Sequence, residues 1–128
     1  MVYFGTGKYL ETTDPENKDV QSVYGIWDKS ISDTSATAEV TLASLQQQEV
    51  KEENAKRQIT ATGTISWNDK RGWYFNLPVS GERVIANPEV SGSKLNILTM
   101  IPTSDNDAEC GVSGKGWIME LDGINGRA

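Results

Sequence analysis

The densest hydrophobic alternation lies between Arg71 and Pro102. Trp73, Phe75 and Leu77 alternate with Tyr74 and Asn76, the two-residue period of a β-strand. Pro78 to Gly81 ends that run, because proline offers no ladder donor and glycine admits positive φ. Arg83 to Ala86 is a second short run, and Asn87-Pro88 with Ser91-Gly92-Ser93 reverses the chain. Leu95 to Ile101 is the third. Its faces, Leu95, Ile97, Thr99, Ile101 and Asn96, Leu98, Met100, are both mostly apolar, so this strand is expected to be covered on both sides by stacked sheets.

The flanking segments extend the same reading. Val2-Tyr3-Phe4 opens a strand that meets Gly5-Thr6-Gly7, a bulge or close-approach signal, and resumes at Lys8-Tyr9-Leu10. Thr12 to Asp19 is a polar loop around Asp14-Pro15, with Asp14, Glu16 and Asp19 expected as a solvated tip. Ser22 to Trp27 is the next strand and pairs with the first through that loop. Ser30 to Ala38 is a small, polar connection. Ser44 to Arg57 is rich in helix formers, and Ser44 with Gln47 fits a capping box. Yet Val40, Leu42 and Ser44 alternate, and Leu42, Leu45 and Val50 make a poor helical stripe. A strand with a charged turn at Lys51 to Lys56 is expected there, because a neighbouring ladder overrides propensity. Ile59 to Thr62 and Thr64 to Trp67 are β-rich, and Trp117 to Leu121 is the last strand. With about eight or nine short strands and turn signals about every 8–12 residues, the fold class is all-β.

A length of 128 residues suits one domain or one piece of a larger one. The formal net charge is −6 and the one dense basic run, Lys56-Arg57, follows Glu52-Glu53, so a nucleic-acid partner is not expected. No apolar run approaches the roughly 20 residues of a membrane helix. Met1 leads straight into Val2-Tyr3-Phe4 without a signal peptide, and the segment is expected to be cut from a longer chain. With no histidine, Ser-His-Asp, Cys-His and imidazole–zinc sites within this chain fall away. Cys110 stands alone and has no internal disulfide partner. The Gly5-Thr6-Gly7 run lacks the spacing of a phosphate loop.

Several short runs, taken together, are similar to one family. Phe4-Gly-Thr-Gly-Lys-Tyr9-Leu10 and Ser22-Val-Tyr-Gly-Ile-Trp-Asp28 resemble paired motifs of the PilC/PilY proteins, the type IV pilus tip-associated adhesin and biogenesis family. Leu45-Gln-Gln-Gln48, Gly72-Trp-Tyr-Phe-Asn-Leu-Pro78, Gly81-Glu-Arg-Val84, Ile101-Pro102 and Gly116-Trp-Ile-Met-Glu-Leu-Asp122 follow in the family's order, with Asn125-Gly126 after them. The resemblance covers nearly the whole chain. It implies a single all-β segment, residues 1–128, from the C-terminal β-propeller of such a protein. The segment would be an antiparallel meander of about two quinoprotein-like blades, or a β-sandwich-like fragment of them. It further implies a non-catalytic structural and adhesion module at the bacterial cell surface, pilus tip or periplasm. Its partners would be pilus components or a host-surface receptor, and no cofactor is expected. The run from Trp117 to Gly126 is also similar to the blade turns of quinoprotein-type propellers, but 128 residues cannot build a cofactor cradle from several blades.

Two chemical sites are weighed beside that module. Asp105, Asp107 and Glu109 alternate in one loop, a spacing of oxygen ligands that suits calcium, although Gly111 and Gly116 break the EF-hand pattern. The family's calcium loop is of the Asp-x-Asp-x-Asp type, in a different context. Trp27, Trp67, Trp73 and Trp117 either pack between blades or offer a carbohydrate platform. A calcium- or carbohydrate-binding β-domain is therefore the alternative function. Arg83 is expected as a structural ion pair or a turn clamp. Sheets cut from a propeller would leave apolar edges exposed, so the segment is expected to self-associate.

Overall fold

The computed structural model describes residues 1–29, 39–61, 64–102 and 114–128. The first five strands, β1 (Val2–Gly5), β2 (Ser22–Ile26), β3 (Gln46–Glu53), β4 (Lys56–Ala61) and β5 (Gly72–Asn76), form one sheet in the order β1-β2-β5-β3-β4. The next five, β6 (Arg83–Val84), β7 (Glu89–Ser91), β8 (Lys94–Pro102), β9 (Gly114–Lys115) and β10 (Ile118–Asp122), form a second sheet built on β8. The all-β expectation holds, and no helix among the described residues is long and apolar enough to cross a membrane.

Alternation sets the inner faces. In β5, Trp73 and Phe75 are buried while Tyr74 and Asn76 lie on the other side. Their neighbours across β2 are Gly25 and Val23, so a core stripe runs through both strands. In β8 the buried set is Leu95, Ile97 and Thr99, with Met119 and Leu121 of β10 opposite. Both stripes join Ile59, Ile65, Leu77 and Val84 in one hydrophobic core between the sheets. Burying each such side chain contributes about 1.5–3 kcal/mol.

Trp73 is the centre of that core. It is fully buried and stacks on Phe75 with ring centroids 6.0 Å apart. Its indole N–H donates to the Gly123 carbonyl at 3.0 Å. A Cβ at Gly25 or at Gly126 would run into the indole, so a glycine of β2 and a glycine of the turn after β10 make the slot. The turn after β10 is therefore shaped by a tryptophan of the other sheet. Asp122 Oδ1 accepts the N–H groups of Ile124 and Asn125, which holds that turn in place.

Within 44–57, Gln46–Glu53 and Lys56-Arg57 are strand, as expected, but the alternating Val40, Leu42 and Ser44 that argued for it fall in loop and in a 3-10 turn. The turn between the two strands is tighter than the charged run implied: Asn54 and Ala55 alone reverse the chain, with φ of 52° and 56°. The expected Ser44–Gln47 capping box does not form, since Gln47 is in β3; a box instead joins Thr41 to Ser44 around a single 3-10 turn at Leu42–Ser44.

Several expectations are corrected. The sheet is not a simple meander, because β3 lies between β4 and β5 and runs parallel to β5 at Gln46 and Gln47. Lys8 to Leu10 does not resume β1, since buried groups capture its backbone, as described below. Thr64 to Trp67 is irregular, with Ile65 in the core. The run 83–86 is strand only at Arg83–Val84, and β7 and β9 were too short to show a period. Most consequentially, the outer face of β8 is only partly covered among the described residues: Asn96 and Met100 are half-buried and Leu98 stays 48% exposed.

Candidate functional site

The Gly81-Glu82-Arg83-Val84 run holds two consecutive buried charges, and each organises a different part of the molecule. Glu82 faces the first sheet. It receives Arg57 Nη1 at 2.5 Å and Nη2 at 2.8 Å, a fork-to-fork pair, while Thr99 Oγ1 donates to its Oε1 at 2.5 Å. Arg57 lies 4.2 Å from the centroid of the Trp117 ring and also reaches Glu52 Oε2 at 3.2 Å. This cluster ties β4 to β6, β8 and the Trp117 turn. The sequence hid Arg57 inside a charged run, although its two-residue spacing from the core residue Ile59 marked it as inward-facing.

Arg83 faces the opposite way, and its hydrogen-bond acceptors among the described residues are carbonyl oxygens. Its Nε donates to Gly81 O at 2.9 Å, Nη1 to Lys8 O at 2.6 Å and Asp14 O at 2.9 Å, and Nη2 to Asn17 O at 2.7 Å. It is the turn clamp, not the ion pair. The glycines before it fit this arrangement: Gly7 takes φ of 141° and leaves no room for a Cβ beside Arg83. Thr6 O accepts the Val84 N–H at 3.1 Å, so the Phe4-to-Leu10 motif and the Gly81-to-Val84 motif form one unit.

Asp14 finishes the loop from inside. It is buried, not a solvated tip, and its Oδ2 accepts the N–H groups of Leu10 at 2.6 Å and Glu11 at 2.8 Å. These backbone N–H groups hold the Asp14 carboxyl below the usual carboxylate range; Lys8 and Arg83 act in the same direction, against an opposing effect of burial. On the other side of the molecule, burial pushes the Tyr3 phenol up, with the Asp122 charge adding to it.

With its backbone fixed, the loop presents Tyr9 and Leu10 to solvent; Leu10 is 88% exposed. The outer face of β1, β2 and β5 is the other unusual surface. Phe4, Tyr24 and Tyr74 form a stacked ladder across it, with centroid spacings of 5.0 and 5.9 Å.

The four tryptophans do not share a platform. Trp73 is in the core and Trp117 lies under Arg57, whereas Trp27 and Trp67 meet edge to face at 5.7 Å. Trp27 and Trp67 line a shallow cleft of about 250 Å³ with Met1 and Ile124. Among the described residues no cluster of three or more carboxylate or cysteine side chains could hold a metal ion. Asp105, Asp107, Glu109 and Cys110 lie outside the described residues.

A family model described as the PilY1 beta-propeller domain matches residues 1–63. A type IV pilus biogenesis factor PilY1 homolog of Xylella fastidiosa is 30% identical over 133 residues, covering 100% of this chain and 9% of that protein. A second homolog from the same organism is 33% identical over 132 residues, 98% of this chain and 10% of its own. The type IV pilus biogenesis factor PilY1 of Pseudomonas aeruginosa is 29% identical over 148 residues, 98% of this chain and 12% of its own. The chain thus spans about a tenth of the length of the curated relatives it matches. No solved structure matches it.

Proposed function

The chain belongs to the PilY1 family of type IV pilus biogenesis factors, and on that premise we propose that it is a non-catalytic structural module. In this reading it acts through contacts with other proteins of the pilus machinery, at the cell surface or in the periplasm. The observation that carries the reading is the loop from Lys8 to Asn17. A buried arginine and a buried aspartate hold its backbone, and what they hold up is an exposed Tyr9-Leu10 pair. Pre-organised aromatic and aliphatic side chains bind partners with little ordering cost, which suits a contact surface.

The test is Tyr9→Ser with Leu10→Ser in the parent protein of a piliated bacterium. Both side chains are exposed, so folding is spared. Surface pilin and attachment should fall several-fold while the cellular level of the protein stays constant. Unchanged piliation and attachment at wild-type protein levels would overturn the proposal.

A further inference from the structure

We propose that Asn125 is a latent modification site: Gln48 holds it closed, and it converts to isoaspartate when the turn after β10 opens. The inference goes beyond the pilus reading and rests on the Asn125-Gly126 run and the bonds that restrain it.

An asparagine followed by glycine is the pair best suited to this reaction, because glycine puts no side chain in the way of its own nitrogen. The Gly126 nitrogen loses its proton and attacks Asn125 Cγ. A C–N bond forms, a succinimide ring closes, and the side-chain nitrogen leaves as ammonia. Water then opens the ring at one of its two carbonyls, so no oxidant or reductant is needed. Opening at the former side-chain carbonyl gives aspartate. Opening at the former backbone carbonyl gives isoaspartate, whose main chain runs through Cβ.

Three hydrogen bonds oppose ring closure in the folded turn. The Gly126 N–H, whose nitrogen is the nucleophile, donates to Asp122 O at 2.7 Å. The Asn125 N–H donates to Asp122 Oδ1 at 2.9 Å. The Asn125 carbonyl has to rotate before the ring can close, and it accepts Gln48 Nε2 at 2.7 Å. The first two bonds are local to the turn, whereas the third comes from β3. Gln48 is fully buried, and its Oε1 has no hydrogen bond among the described residues. An unmet buried acceptor costs stability, and a leucine would fill the place without that cost. The amide is explained by what its nitrogen holds.

Conversion would reach the core. Gly126 takes φ of 65° and lies so close to the Trp73 indole that a Cβ has no room. An extra main-chain carbon just before it moves Gly126 out of that slot. Asn125 is half-buried and Ile124 exposed, so water reaches the turn once it opens.

The experiment incubates the chain at mildly alkaline pH and follows Asn125 by peptide mass spectrometry, with an isoaspartyl methyltransferase marking the product. The folded parent should convert far more slowly than the same chain in urea. Gln48→Leu should convert about two- to tenfold faster than the parent, the factor set by one hydrogen bond when opening is local. Its urea midpoint should stay near that of the parent, because the same change removes the unmet acceptor. Gln48→Met replaces it if near-UV circular dichroism shows a lost fold. The purified isoaspartyl chain should lose the near-UV signal of Trp73. A folded parent that converts as fast as the unfolded chain, a Gln48 variant that converts at the parent's rate, or an isoaspartyl chain that keeps the Trp73 signal would each overturn the proposal. The pilus reading is tested separately, on cells, through Tyr9 and Leu10.

Discussion

Arg57 and Arg83 are both buried in this small β-protein, and they are satisfied in opposite ways. Arg57 meets a carboxylate and an aromatic face, and both partners, Glu82 and Trp117, directly precede strands of the second sheet. Arg83 meets four backbone carbonyls, and its partners lie in turns and loops. The first arrangement neutralises charge where two sheets meet. The second leaves the cation without a directly bonded carboxylate and uses its fixed fork of donors as a template for the backbone. Burial of a charge is therefore two different devices here: a joint between sheets and a mould for a loop.

The comparison breaks most readily at Glu82. In Glu82→Gln, Arg57 loses its buried counter-charge and keeps only the half-exposed Glu52, so the cost is at most the roughly 3–5 kcal/mol of an uncompensated buried cation. Urea unfolding should show that loss in the midpoint. Adding Arg57→Met should recover much of it, because removing both charges is close to neutral. Arg83→Met should behave otherwise. Leaving carbonyls without donors costs about 1–3 kcal/mol for each one that water does not reach. Amide exchange should quicken from Lys8 to Asn17 while β8 remains protected. Equal acceleration in both regions would mean that Arg83 supports the sheets as well as the loop.

Much of this fold is legible in single-residue periods. Trp73, Phe75, Leu95 and Ile97 announced the inner faces because burial on one side imposes alternation. The strands around Asn54 and Ala55 were legible only from context, because a neighbouring ladder overrides a helix-prone composition. The Arg83 cage was not. Its acceptors are carbonyls up to 75 residues away, and every residue type has one. The Asp14 contact was hidden for the same reason: a carboxylate that binds two backbone N–H groups looks, in sequence, like one bound to water. The outer face of β8 misled because apolar residues are written identically whether their cover comes from the same chain or from another.

Acid separates the two devices further. The Asp14 carboxyl titrates below its ordinary value when folded, so its contribution is fully present above the unfolded carboxylate value of about 4. The contribution is lost as pH falls from there through the lower folded value. The loop should therefore loosen in that window before the sheets unfold. Asp14→Asn should be less stable than the parent at pH 7 and should lose this part of the acid sensitivity. An unchanged acid profile in the variant would show that the carboxylate charge does not shape the loop.

The smallest effect has the opposite sign and belongs to the Arg57 side. The turn that delivers Arg57 to Glu82 uses Asn54 and Ala55, both left-handed. A two-residue hairpin turn of this kind favours Asn followed by Gly, since an L side chain in that region costs about 1–2 kcal/mol. Part of that cost is offset on replacing alanine, because glycine gives the unfolded chain more freedom. Ala55→Gly should therefore stabilise the protein by about 0.5–1 kcal/mol. Because the substitution leaves Arg57, Glu82 and Trp117 themselves unaltered, the coupling between Arg57 and Glu82 measured in that background should be unchanged. A coupling that grows with the turn's stability would mean that the hairpin's position is itself part of the joint between the sheets.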